Sequence, residues 1–138
     1  MGTQKLKKIK SNLVYSIFFR IFAVEMIEIR NIHGQLLHRL DGADSLACVY
    51  LDSLDLRGAS LAGADLSEAY LGFCDLSGAD FRGADLSSAR IEGCVVSGTD
   101  FSGADLSGAD IDSTTDIATD AVTDDETLLP SAHRPAYM

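Results

Sequence analysis

Twenty-one carboxylates, three histidines and three cysteines are the side chains of this 138-residue chain that could carry chemistry. Their spacing decides which chemistry is open to them. Cys48, Cys74 and Cys94 are odd in number and contain no CxxC pair. That argues against a zinc site and a disulfide framework, and fits a reducing cytoplasm. His33, His38 and His133 share no metal-ligand spacing with a cysteine or with one another, and none has a nucleophile or acid close in sequence. There is no GxGxxG, P-loop or nucleophile elbow. The carboxylates recur in a regular, solvated pattern instead of converging on a cleft. The expectation is a protein that is not an enzyme, with no catalytic, cofactor or metal residues.

The element that positions these side chains is a repeat of five. From Val49 to Ser113 the chain divides into thirteen consecutive pentads without an insertion. The third residue is always apolar: Leu51, Leu56, Leu61, Leu66, Leu71, Leu76, Phe81, Leu86, Ile91, Val96, Phe101, Leu106 and Ile111. The first is Ala, Cys or Thr in eleven pentads, and the fifth is Gly in eight. A period of five fits neither an α-helix nor a flat strand. It fits a chain that turns a corner every five residues, with the third and first residues inward and the second and fourth in solvent. Glycine then serves the corner. Four sides close a square coil of twenty residues, and stacked coils hydrogen-bond like parallel strands about 4.8 Å apart. The expected core is Leu56, Leu61, Leu66, Leu71, Leu76, Phe81, Leu86, Ile91, Val96, Phe101 and Leu106.

The pattern resembles the pentapeptide-repeat family, whose consensus is Ala-Asp/Asn-Leu-x-x. The resemblance covers residues 49–113 and implies an all-β fold, a right-handed quadrilateral parallel β-helix. Spacing alone yields the corners but not the hand. Thirteen pentads make about three coils. The flanks read as caps. Residues 27–40 predict a β-hairpin with Gly34 in its turn, so residues 26–48 are a hairpin cap and lead-in. After Ser113 the register fails, because Asp116 falls where an inward residue is due. Residues 114–138 read as a frayed coil or a short helical cap, ended by Pro130, and a disordered tail.

Residues twenty apart stack, so the outward columns can be read off. Asp65, Asp85 and Asp105 form one column, with serines two residues on. Aspartate in this slot hydrogen-bonds the corner backbone. A second column runs Tyr50, Tyr70, Arg90, Asp110, and beside it Phe73 holds a slot that is usually glycine. Tyr50, Tyr70, Phe73 and Arg90 form a candidate interaction patch, since aromatic residues and arginine favour interfaces. Cys74 and Cys94 stack in the inward column and read as small buried hydrophobes.

Charge is uneven. Residues 1–25 hold all four lysines and Arg20 against Glu25, a net of +4. The remaining 113 residues hold 20 acids against six arginines, a net of −14. A body this acidic does not bind nucleic acid directly. No run reaches the roughly 20 apolar residues of a membrane span. Residues 12–23 project as an apolar helix behind four lysines, which suits peripheral membrane contact. The alternative is that residues 1–25 are an extension and that translation starts at Met26.

Three functions follow. The first is a non-enzymatic protein–protein interaction scaffold, cytoplasmic, with an unidentified protein partner. The second is an acidic mimic of DNA built on the Asp65, Asp85 and Asp105 column, acting on DNA gyrase or another DNA-binding protein. The family resemblance suggests this mimicry. Residues 49–113 carry a net of −9, close to the roughly nine charges of a ~15 Å length of duplex. Gyrase-directed members have several more coils and pair through a carboxyl-terminal helix, so the tail here is a weak candidate for homodimer pairing. The third is a membrane-tethered module with residues 1–25 as tether.

Overall fold

A computed structural model describes residues 26–131. The expectations for residues 1–25, for His133 and for the end of the tail lie outside the described residues.

Seven short elements follow in order: β1 (Met26–Arg30), β2 (Leu36–Asp41), β3 (Tyr50–Asp52), β4 (Tyr70–Gly72), β5 (Arg90–Glu92), β6 (Asp110–Ile111) and α1 (Ile117–Asp120). β1 and β2 pair antiparallel, Ile27 opposite Leu40 and Ile29 opposite His38, with an irregularity after Ile29. Asn31 shapes the turn: its Oδ1 accepts the amides of His33 and Gln35, each at 2.9 Å. Gly34 supplies the left-handed residue there, at φ 82°. Ile29 is buried with the core. The hairpin is joined to the first coil by an Asn31–Ala59 bridge, by Ile32 N to Gly58 O (3.0 Å) and by Ser60 N to Arg30 O (2.8 Å).

The pentads coil as their spacing requires. β3 to β6 form a four-stranded parallel sheet, each strand one coil beyond the last. The other three faces carry single bridges with the same twenty-residue step: Asp55–Asp75–Val95, Ser60–Asp80–Asp100 and Asp65–Asp85–Asp105. The corners between these faces are tight turns, as where Ala79 N donates to Leu76 O and Ala89 N to Leu86 O. Every expected core residue is buried, the most accessible being Leu61 at 4%. Phe81 and Phe101 stack inside at 5.2 Å between ring centroids. Small first residues such as Ala69, Ala84 and Ala104 are buried beside them.

Beyond Ser113 the stack continues in altered register. Val122 pairs with Asp100 and Leu128 with Asp105, separations of 22 and 23 residues. The frayed coil and the helical turn, read from the sequence as alternatives, occur together: two extra residues fall in the stretch that holds α1, a third falls between Val122 and Leu128, where Thr127 N donates to Asp124 O, and Thr115 and Ile117 fill the inward positions.

Candidate functional site

The face carried by β3–β6 differs from the others, and its register is the one the columns predict: Tyr50, Tyr70, Arg90 and Asp110 stand in line. The Tyr50 and Tyr70 rings stack, 4.5 Å between centroids and 9° apart in plane. The Arg90 guanidinium lies 5.7 Å from the Tyr70 centroid, within range of a cation–π contact. Tyr50 is 68% exposed.

A second column runs through Asp52, Gly72 and Glu92. The Tyr70 hydroxyl crosses above Gly72 and donates to Glu92 Oε1 at 2.6 Å. A Cβ at Gly72 would collide with the Tyr70 ring and hydroxyl, so glycine is what lets the phenol lie across the coil. The hydrogen bond to Glu92 pushes the Tyr70 phenol well above the ordinary tyrosine range, with help from burial. Arg90 reaches Glu92 at 3.4 Å and Asp110 at 3.7 Å, exposed pairs that add little stability.

Phe73 closes the patch. Its side chain is 62% exposed and its backbone is left-handed, at φ 53°. The ring covers Gly93 one coil on, where a Cβ would meet ring carbon Cδ1 at 2.5 Å. The four residues singled out from the sequence thus share one surface. Glu92, Asp52, Gly72 and Gly93 were missed. The signal was available: with coils of twenty, a side chain at the second position of its pentad that leans along its strand meets residue i+22, as Tyr70 meets Glu92.

The Asp65, Asp85 and Asp105 column serves the corners. Asp65 accepts from Ser67 N (3.0 Å) and Oγ (2.6 Å), Asp85 from Ser87 N (2.9 Å) and Oγ (2.6 Å), and Asp105 from Ser107 N (2.9 Å). These bonds hold the Asp85 carboxyl below its ordinary range. On another face the Arg57 guanidinium, at 2.7 and 2.8 Å, brings Asp55 down to about 2.

Cys74 and Cys94 are buried free thiols, but more than space fillers. At their corner the tight-turn bond is absent, and Cys94 Sγ donates instead to Leu71 O at 3.3 Å, Cys74 Sγ to Gly72 O at 3.5 Å. Contact with Cys74 and burial push the Cys94 thiol far up, so it stays protonated. Among the described residues no group of three His, Cys, Asp or Glu is placed to hold a metal ion, and no helix is long and apolar enough to cross a membrane.

Comparison with known proteins agrees with this geometry. No curated protein matches the chain. Among solved structures it is similar to the pentapeptide repeat protein Rfr23 of the cyanobacterium Cyanothece 51142, at 20% identity and a TM-score of 0.31, over 74% of this chain and 78% of that one. It is also similar to a pentapeptide repeat protein of the Arabidopsis thaliana thylakoid lumen, at 27% identity and a TM-score of 0.26, over 51% and 59%. The family model for pentapeptide repeats matches eight copies, over residues 45–83 and 79–115, just over half of the chain. Coils of four pentads, an apolar third residue always inward and that match place this chain in the pentapeptide-repeat family, with its right-handed β-helix.

Proposed function

We propose that this chain is a non-enzymatic protein–protein interaction scaffold whose docking face is the one on β3–β6. Phe73 carries the reading. A left-handed backbone costs a bulky residue about 1–2 kcal/mol, and eight of the thirteen pentads place glycine at this position. A large aromatic side chain held there and left in solvent gains the fold little. Beside it stand the exposed Tyr50, the Tyr70 ring and Arg90, residue types that concentrate binding energy at interfaces. The Asp65, Asp85 and Asp105 carboxylates are engaged with their own corners, which favours the aromatic face over the acidic one as the recognition surface. The free cysteines suit a reducing cytoplasm.

The test is affinity capture from host lysate with the full chain as bait. Tyr70→Ala and Phe73→Ala are expected to release the captured partner, while duplex DNA leaves it bound. Partners that survive both substitutions would remove the assignment of this face. A topoisomerase displaced by duplex DNA would put DNA mimicry in its place.

A further inference from the structure

Among the described residues, the face of β3–β6 ends in a strand edge that no other strand covers. Along it, each second-position amide donates to the coil before: Tyr70 N to Val49 O, Arg90 N to Ala69 O and Asp110 N to Ala89 O, all at 2.8 Å. Tyr50 holds the same position in β3, and β3 is the terminal strand of its sheet. The amino-terminal hairpin does not pair with it. That hairpin meets the coil two corners away, where Ser60 N donates to Arg30 O, and the lead-in segment covers the next face, where Cys48 N donates to Ser67 O at 2.9 Å. Among the described residues no strand lies on the outer side of β3. The edge reads Tyr-Leu-Asp, with neither proline nor lysine, the residues that keep natural edges single.

The side chains at this edge point to one kind of occupant. The Tyr50–Tyr70 stack has a guanidinium at its inner end, where Arg90 approaches Tyr70. At its outer end the Tyr50 ring is exposed. Two residues along the same strand, Asp52 is also exposed, and its carboxylate takes a bond from Ser53 Oγ at 3.0 Å. Glu92 and Asp110 are already engaged with Tyr70 and Arg90. An aromatic face with a carboxylate beside it, on coils of net charge −9, suits a guanidinium.

We propose that the outer edge of β3 is a strand-addition site for an extended, arginine-bearing segment of another protein. The segment extends the parallel face by one strand through its backbone. Its arginine lies on the outer face of Tyr50 and pairs with Asp52, repeating what Arg90 does at the other end of the stack. This deepens the docking reading and rests on it.

The experiment titrates the full chain with a labelled extended peptide of alternating valine and threonine that has a central arginine. Anisotropy reports affinity, and hydrogen exchange reports the amides of Tyr50 and Asp52. The expected result is saturable binding, with those two amides slowed by peptide. Replacing the arginine by glutamine, or Tyr50→Ala in the protein, weakens binding about threefold to tenfold. N-methylation of alternate peptide amides abolishes it, which tests the backbone without altering the protein. No binding, or binding indifferent to N-methylation, overturns the proposal. So do amides of Tyr50 and Asp52 already protected in the free chain, which would assign the edge to a second copy or to residues 1–25. If the peptide fails while lysate partners still depend on Tyr70 and Phe73, strand addition falls and the docking face stands. If the peptide binds while those partners ignore both residues, strand addition stands on the β3 edge and the wider face falls.

Discussion

At the scale of residues, the corner positions separate what the fold needs from what it tolerates. In the first twelve pentads the fifth residue sits at φ near +60° whatever its type: Ser53, Glu68, Phe73 and Ser88 share the conformation of the glycines. Gly98, at φ 66°, has open space around the place a Cβ would take. Gly98→Ala therefore meets no clash, and its cost is conformational, about 1 kcal/mol. A thermal melt is expected to show that loss. Phe73→Gly runs the other way. It releases the left-handed strain and is expected to leave the midpoint unchanged or raised while partner capture is lost, the pattern of a residue kept for function. A clear fall in the midpoint would mean that the ring over Gly93 serves the fold instead.

At the scale of elements, the last turn depends on side chains because its register has slipped. Thr115 is buried, and its Oγ1 accepts the Cys94 amide at 3.1 Å and donates to Asp112 Oδ1 at 2.8 Å. Asp112 in turn accepts the Gly93 amide at 3.0 Å. Two amides that a regular next coil would take are thus met by a hydroxyl and a carboxylate. Thr115→Val keeps the shape and removes the hydroxyl. It leaves a buried donor unpaired, at a cost of about 1–3 kcal/mol. Chemical denaturation should register the loss, and exchange of the Cys94 amide should quicken out of proportion to the rest. Uniform quickening would show only global destabilisation.

At the scale of the whole molecule, the carboxylates set the response to acid. Asp55, Asp80, Asp85, Asp112 and Asp124 are all held below their ordinary range, Asp55 at about 2. A depressed folded-state pKa means that the unfolded chain binds protons first as pH falls. The stabilisation is complete above the unfolded value near 3.8 and disappears as pH drops through the folded value. Stability is therefore expected to hold from neutrality to about pH 4 and to decline steeply below it. Melting midpoints across pH 2–6 check this. A midpoint that rises between pH 4 and 2 would show that relief of the net charge of −10 outweighs the lost corner bonds.

The coil, its inward residues and the columns were legible because they depend on local alternation and a constant count. A period of five with an apolar third residue has one economical solution, and residues twenty apart must then be neighbours. That count alone puts Leu66 and Leu86 inside, and Tyr50, Tyr70 and Arg90 in line outside, where the structure has them. What lies off that count was decided in three dimensions. Tyr70 reaches Glu92 only because Gly72 leaves room beneath it. The tail continues the stack only because α1 and the turn from Asp124 to Thr127 absorb the extra residues, so that Val122 and Leu128 find partners. The hairpin's docking beside Gly58 and Ala59, away from the β3 edge, also has no local signal. A repeat specifies contacts between equivalent positions; where equivalence ends, side-chain reach, the room left by missing side chains and competition for backbone hydrogen bonds decide the structure, and those terms exist only in the folded chain.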